Sequence, residues 1–371
     1  QPLAAYSVCN LAAINLANMA DFKKQHVDWD KLKRTIDTAI RMQDNVIDRT
    51  TYFLEENRIQ ALGERRIGLG VMGLHDLIIY CNLRYGSEKA NHFVDELFSF
   101  IATSAYEASI ELAKEKGSFP FLDQYGSRQK FIETGYMQKM PESIRQKILQ
   151  YGIRNSHLLT IAPTGSTGTM VGVSTGLEPY FAFKYYRSGR LGKFMEVNAP
   201  VVEKYLELHP EYTHETLPDI FVSAMDLSPE EHANVQCIIQ RWVDSSISKT
   251  VNAPKGTSVE EVENLYFHLY KGGAKGGTVY VDGSRDTQVL TLKKDDDLPK
   301  QVELTDLGIE IEEKNVTAKE KDNINPAHTK ANRNIGTEIG DICPICLEGT
   351  VEDIGGCNTC TNCNAQLKCG L

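Results

Sequence analysis

The chain has 371 residues, 41% of them hydrophobic, which is enough for one large core and a second small unit. Its formal net charge of −10 excludes a general nucleic-acid binder, whose phosphate contacts need clustered Lys and Arg. It has no apolar run of membrane-spanning length and no signal peptide, so it reads as a soluble, cytoplasmic protein with no membrane partner. Gln1-Pro2-Leu3 opens without a lead-in and reads as the interior of a longer polypeptide.

Cys9 lies in Tyr6-Ser7-Val8-Cys9-Asn10-Leu11-Ala12-Ala13-Ile14, a half-alternating apolar segment that predicts a strand leading into a turn. On its residues alone, this cysteine is a small buried hydrophobe. Leu32, Ile36, Ile40, Val46 and Ile47 give a helical stripe over about 30–48. Arg66-Ile67-Gly68-Leu69-Gly70-Val71-Met72-Gly73 contains GxGxxG, but charged residues precede it in place of a strand. It therefore predicts a glycine-faced helix and no nicotinamide site, with His75 and Asp76 as local hydrogen-bonding partners. Ser87 caps a long amphipathic helix that Gly117 ends, and a short helix over 140–150 follows.

His157 to Pro163 reads as a buried strand. The loop behind it, Thr164-Gly165-Ser166-Thr167-Gly168-Thr169, is built only of Thr, Ser and Gly. Such a loop is either a plain polar turn or an anion cradle, because small residues let N–H and hydroxyl groups converge on a phosphate. No lysine follows the glycine, so an ATP-type phosphate loop is not supported. Further on, Phe181–Tyr186 reads as a strand, and 200–208, 228–249 and 258–270 read as helices. The 228–249 helix is expected to break near Ser245, and Ser258 with Glu261 forms a capping box. Thr278–Val281 reads as a strand. Helices alternating with short apolar strands predict an α/β fold with a largely parallel sheet.

Leu292 to about Ile342 is charge-rich and poor in aromatics, the composition of a flexible linker. The expected domains are therefore 1–291, 292–341 and 342–371. Six of the nine cysteines crowd the last segment. Cys343-Pro344-Ile345-Cys346 and Cys360-Thr361-Asn362-Cys363 are two CxxC knuckles with the spacing of a four-sulfur zinc ribbon. Two thiols are then left over, Cys357 and Cys369. The alternative assigns Cys357 and Cys360 to the metal and leaves Cys363 and Cys369 as a terminal pair. A surplus pair on a flexible arm is what thiol–disulfide exchange at a distant site needs; otherwise the tail is a plain structural ribbon with two spare thiols.

Several of these segments, in this order, resemble a known family. They are Gln1-Pro2-Leu3 with Ser7-Val8-Cys9-Asn10-Leu11, then Arg66 to Leu74, Gly152-Ile153-Arg154-Asn155, and Ala162-Pro163-Thr164-Gly165-Ser166. The order continues in Gly176-Leu177-Glu178-Pro179, Asp244 to Thr250, and Lys275 to Arg285. The chain resembles the C-terminal half of the catalytic subunit of a ribonucleotide reductase, and is most similar to the adenosylcobalamin-dependent class II enzymes.

The resemblance implies the second half of a ten-stranded α/β barrel. It places a substrate diphosphate at Pro163, Thr164, Gly165, Ser166 and Thr167, with Cys9 as one of two thiols that reduce the ribose. Cys357 and Cys369 would re-reduce the resulting disulfide, and zinc would sit on Cys343, Cys346, Cys360 and Cys363. It also implies adenosylcobalamin, a thioredoxin-like reductant and a homodimer when complete. The family's radical cysteine belongs to an Asn-x-Cys-x-Glu motif before the position of Gln1, so a fragment without it is expected to be inactive alone. Tyr280 stands singly where class I enzymes carry two adjacent tyrosines, and Tyr185-Tyr186 lie elsewhere; this favours class II. The competing readings are a class I large subunit that needs a separate radical subunit, and a non-enzymatic zinc-ribbon binding module.

Overall fold

A computed structural model of the chain describes residues 3–189, 192–284, 290–291, 338–343, 346, 348–354, 357–363 and 366–369. They belong to two units, Gln1–Pro299 and Lys300–Leu371. Nearly all of the expected linker, 292–337, lies outside the described residues.

In the first unit, β1 (Asn10–Asn15) ends in a 3-10 turn, Leu16–Met19, where the Asn15 side chain accepts the Ala17 N–H. The short antiparallel pair β2 (Ala20–Asp21) and β3 (His26–Val27) hands the chain to α1 (Trp29–Arg49). Asp28 caps α1 by accepting the Lys31 N–H, and its buried stripe is Leu32, Ile36, Ile40 and Ile47, as the periodicity predicts. α2 (Glu55–Glu64) stops where Arg65 turns left-handed at φ 47°.

The next segment departs from expectation. Ile67–Met72 is a strand, β4, parallel to β1 from Asn10↔Ile67 to Asn15↔Met72. The glycine-faced helix predicted there is incorrect because β4 is buried along its whole length. A strand covered on both faces shows no alternation, so its sequence has no strand period to read. α3 (Leu74–Tyr80) follows, then α4 (Glu88–Lys116), capped by Ser87 and ended by Gly117 at φ 82°. α5 (Pro120–Tyr125), α6 (Arg128–Ile132) and α7 (Glu142–Tyr151) bring the chain back to the sheet.

Residues 157–161 run parallel beside β4: Ile67 N–H donates to His157 O and Leu69 N–H to Leu158 O, while Thr160 N–H donates to Leu69 O. After the short α8 (Gly165–Val171), β5 (Lys184–Gly189) and β6 (Gly192–Asn198) form an antiparallel pair, so the strand expected at Phe181 starts three residues later. α9 (Pro200–Leu208) and α10 (Pro229–Gln240) follow. α10 ends well before Lys249. Ser246 O accepts from Ile161 N–H and Ser248 N–H donates to Ile161 O, so this stretch is extended beside 157–161 and not the helix predicted through 249. It continues into β7 (Thr250–Ala253). α11 (Val259–Lys271), with the expected Ser258/Glu261 capping box, leads to β8 (Thr278–Val281), which is parallel to β7. β9 (Leu290–Thr291) pairs with β5.

The parallel segments thus stand in chain order: β1, β4, 157–161, 246–253 and β8. Among the described residues this arc is open and does not close into a barrel. Its outer face, including Ile14, Ile67, Leu69, Val71, Leu159 and Ile161, shares one core with Ile36 and Ile40 of α1 and Leu97, Phe98 and Ile101 of α4. Each such fully buried side chain stabilises by roughly 1.5–3 kcal/mol.

In the second unit, β10 (Val351–Ile354), β11 (Cys357–Cys360) and β12 (Gln366–Cys369) form an antiparallel sheet in that order. Cys357 stands opposite Cys369 in the β11–β12 register.

Asp44 of α1 is buried with Arg65 and Arg154 on its carboxylate. It accepts Arg65 Nε at 2.9 Å, Arg154 Nε at 3.3 Å and Asn155 Nδ2 at 3.1 Å. Replacing it leaves the buried Arg154 guanidinium without its counter-charge and Arg65 with only the partly exposed Asp48. Asp44→Ala should therefore destabilise the chain by about 3–5 kcal/mol in urea unfolding. A loss below about 1 kcal/mol, the range of a surface pair, would show that the network is dispensable.

Candidate active site and candidate metal centre

Cys9 lies just before β1, at the N-terminal rim of the arc. Asn10, the next residue, turns the other way: its Nδ2 donates to Gln43 O, and Gln43 Nε2 donates back to Asn10 O, so Asn10 faces α1. Alternation then puts Cys9 and Leu11 on the opposite, inner face. The glycines of β4 report what lies there. A Cβ on Gly68 would meet Thr160 Cγ2 at 2.6 Å, Leu11 Cδ2 at 2.7 Å and Cys9 Sγ at 2.9 Å, and one on Gly70 would meet Thr160 O at 2.5 Å. β4 is therefore kept bare so that Cys9 and Thr160 can sit over it. Burial pushes the Cys9 thiol up to about 11, against the pull of the Arg66 cation. Cys81 rises to about 11 by burial alone, and burial also raises Cys237.

The loop 163–168 lies at the other end of the arc, past the C-terminal end of 157–161, where ligands of open parallel sheets are usually bound. Thr164 is left-handed at φ 48° and opens α8, so the helix begins inside the expected loop. The Thr164 hydroxyl accepts Gly176 N–H at 2.8 Å, and Gly176, at φ 52°, packs where a Cβ would come within 3.0 Å of Ala162 O. Ser166 and Thr167 are exposed in the first turn, while Gly168 is buried.

Buried polar side chains hold this loop from behind. Asp76 accepts Ser174 N–H and the Tyr180 hydroxyl, both at 2.8 Å, and His75 Nδ1 accepts Tyr180 N–H at 3.0 Å. Both residues are hydrogen-bonding partners, but across the fold to 174–180 and not locally as the sequence predicts. Glu178 meets the fully buried Lys249 ammonium at 2.9 Å and takes the Thr250 N–H. Lys249 also donates to His232 Nδ1, whose Nε2 donates to Ala224 O. Asp244 accepts Leu158 N–H, Leu159 N–H and the Tyr106 hydroxyl. A charged residue beside an apolar run gives no sign in sequence that it will be buried.

In the second unit the sulfurs of Cys343, Cys346, Cys360 and Cys363 lie within 4.8 Å of one another, a set that can hold a metal ion. Cys343 and Cys363 Sγ are 3.7 Å apart, and Cys346 and Cys360 Sγ 3.6 Å. Backbone N–H groups point at the sulfurs, Gly349 to Cys346 and Cys363 to Cys360, each at 3.4 Å. Those of Gly349 and Glu348 pull the Cys346 thiol down to about 6, and that of Cys363 lowers Cys360. The side chains of Cys357 and Cys369 lie outside the described residues.

Parallel strands in chain order, helices on their outer face and a thiol on the inner one define an open α/β arc. The family described as ribonucleotide reductase, barrel domain, matches residues 3–280, and the chain belongs to the ribonucleotide reductase family. It is 33% identical over 310 residues to a vitamin B12-dependent ribonucleoside-diphosphate reductase of Mycobacterium tuberculosis, covering 78% of this chain and 41% of the relative. Its identity to the enzyme of that name from Thermoplasma acidophilum is 34% over 310 residues, covering 78% and 38%. With a ribonucleoside-diphosphate reductase subunit alpha of Chlamydia pneumoniae it shares 29% over 321 residues, covering 76% and 30%. The chain thus spans about two fifths of the B12-dependent relatives. No helix among the described residues is long and apolar enough to cross a membrane.

The groups behind the loop make folding sensitive to acid. Burial, then the Lys249 charge, holds His232 down at about 4, and the same two causes hold His75 at about 3. Unfolded histidines titrate near 6.5. Between that pH and about 4 the unfolded chain binds more protons, so stability is complete above 6.5 and falls as pH drops. His232→Gln should remove about 1.4 kcal/mol per pH unit from the slope of unfolding free energy in that window. An unchanged slope by urea titration would mean that His232 is charged in the native state.

Proposed function

We propose that this chain supplies the later strands of a ten-stranded ribonucleotide reductase barrel. The complete enzyme would convert ribonucleoside diphosphates, or triphosphates, to deoxyribonucleotides by thiyl-radical chemistry. The observation that carries this reading is the Cys9 thiol on the inner face of the arc, over a strand stripped of side chains by Gly68 and Gly70. A substrate anchored at Pro163, Thr164, Gly165, Ser166 and Thr167 would extend from there toward the inner face. Cys9 and a second thiol would give up two hydrogens and become a disulfide as the 2′ hydroxyl leaves as water, after the 3′ hydrogen has been abstracted.

Greater identity to the B12-dependent relatives than to the subunit alpha favours adenosylcobalamin as the radical source. That cofactor would supply the radical that starts the reaction, and no described residue is assigned to hold it. Zinc suits the tail: thiolates at about 2.3 Å in a tetrahedron lie about 3.8 Å apart, close to the 3.6 and 3.7 Å separations of the two sulfur pairs. The domain limits 1–291, 292–341 and 342–371 and the redox role of Cys357 and Cys369 belong to the same reading. The cross-strand register of those two residues supports them as an exchange pair on a metal-folded carrier for a thioredoxin-like reductant.

Two experiments test it. In the complete enzyme, Ser166→Ala with Thr167→Ala should weaken nucleotide binding by roughly 1.5–3 kcal/mol for each charge-assisted hydrogen bond lost. Unchanged affinity with the fold intact removes the loop from the site. In the zinc-loaded chain, alkylation should label Cys357 and Cys369 and spare Cys343, Cys346, Cys360 and Cys363. Labelling of Cys363 with protection of Cys357 would favour the other pairing, and failure to bind zinc stoichiometrically would refute the metal site.

A further inference from the structure

Next to Cys9 lies a cleft of about 300 Å³, lined among others by Asn10, Thr50, Tyr52, Asn57 and Arg66. Arg66 is 8% exposed, yet its Nε and Nη1 have no hydrogen-bond partner. Glu64 Oε2 stands 3.6 Å from Nε, too far for a hydrogen bond, and the other Glu64 oxygen accepts the Ser7 hydroxyl. Buried donors left unpaired are costly, and a guanidinium so placed is a fixed positive charge in a poorly solvated site. Among the described residues nothing accepts a hydrogen bond from either nitrogen.

Resting on the reading of Cys9 as a redox thiol, we propose that Arg66 is its positioning residue: the guanidinium, whose Nε and Nη1 make no hydrogen bond, holds the thiolate that Cys9 becomes during disulfide exchange. A reductant dithiol attacks the partner sulfur of a Cys9 disulfide through one thiolate. The new S–S bond forms as the old one breaks, and the electron pair leaves on Cys9 Sγ, beside Arg66. The reductant's second thiolate then displaces the partner sulfur and closes the reductant's own disulfide. The reductant is oxidised by two electrons, the Cys9 disulfide is reduced, and two protons restore the thiols.

The other charges around Cys9 oppose this role or are engaged elsewhere. Glu64 and Asp244 both disfavour the thiolate, and among the groups acting on Cys9 only Arg66 favours it. Asp244 is occupied by Leu158, Leu159 and Tyr106, and Lys275 Nζ donates to Asp244 O. His157 is pushed toward its neutral form by burial, and the Tyr52 hydroxyl donates to Ile47 O with its ionisation also opposed by burial.

The test is the pH profile of Cys9 alkylation by iodoacetamide in the full chain, followed on the Cys9 peptide by mass spectrometry. Cys81 is the internal reference, because burial alone sets its ionisation. Below the thiol's pKa the rate follows the thiolate fraction. Arg66→Met should slow Cys9 about tenfold, the equivalent of one pKa unit, and leave Cys81 unchanged. Arg66→Lys should restore most of the rate, and Glu64→Gln should raise it with Cys81 unchanged, whereas general loosening of the fold would speed both cysteines. Equal profiles for Arg66→Met and the parent chain, or no rescue by lysine, would overturn the proposal. If Arg66→Met does not fold, an unchanged or slower Cys9 rate in folded Glu64→Gln would overturn it instead. Alkylation needs no turnover, so this outcome is separate from the redox reading, which fails if the complete Cys9→Ser enzyme still turns over repeatedly.

Discussion

A single buried carboxylate sets where the parallel strands begin. Asp44 projects from α1 onto Arg65, which ends α2 one residue before Arg66 and β4, and onto Arg154 and Asn155, which precede the 157–161 segment. One helix thereby fixes the starting points of two adjacent strands far apart in sequence. Asp244 repeats the device one strand further on, taking the N–H groups of Leu158 and Leu159. Both carboxylates act at the N-terminal rim, where the chain enters the sheet. Their partners are backbone amides and guanidinium groups already buried, so neither can be removed without leaving a desolvated donor behind.

That rigid rim is where Cys9 and Arg66 are placed, while the opposite end of the arc is built of turns. There the loop at 163–168 is supported by Gly176 against the backbone of Ala162 and Pro163, and by the Glu178–Lys249–His232 cluster against 246–253. The two ends are thus secured by different means, charge pairs on strand starts and hydrogen-bonded turns on strand ends. Along β4 the glycines of the inner face let Cys9, Leu11 and Thr160 pack directly on the strand backbone.

Much of this could be read from sequence where one residue's neighbours in the chain decide its structure. The stripes of α1 and α4, the caps at Ser87 and Ser258, and the CxxC knuckles are local patterns, and the helices and the sulfur cluster stand where those patterns put them. β4 was misread because Gly68 and Gly70 answer to Thr160 and Cys9, which are distant in sequence. The sequence predicts a helix over 228–249 with a break near Ser245, whereas it ends at Gln240, because the apolar content beyond gives no sign that Ile161 will pair with Ile247. Asp44, Arg65 and Arg154 look like ordinary surface charges until α1 is packed on the sheet. Long-range pairing is the part that composition and period do not encode.

The same thiol group meets opposite environments in the two units, and this separates its chemistry. In the tail, backbone N–H groups favour the charged form, so Cys346 sits near 6 and presents a thiolate at neutral pH, the form that a metal requires. Burial disfavours the charged form at Cys9, which sits near 11 and stays a protonated thiol. A protonated thiol can give up a hydrogen atom, whereas a thiolate cannot, so burial agrees with the reductive role proposed for Cys9. In the same proposal, disulfide exchange would ask that sulfur to carry charge, and burial alone would make that step slow. Under the proposal made for Arg66, its buried cation would reconcile the two demands, because it counts for little while Cys9 is neutral and for most when the charge appears.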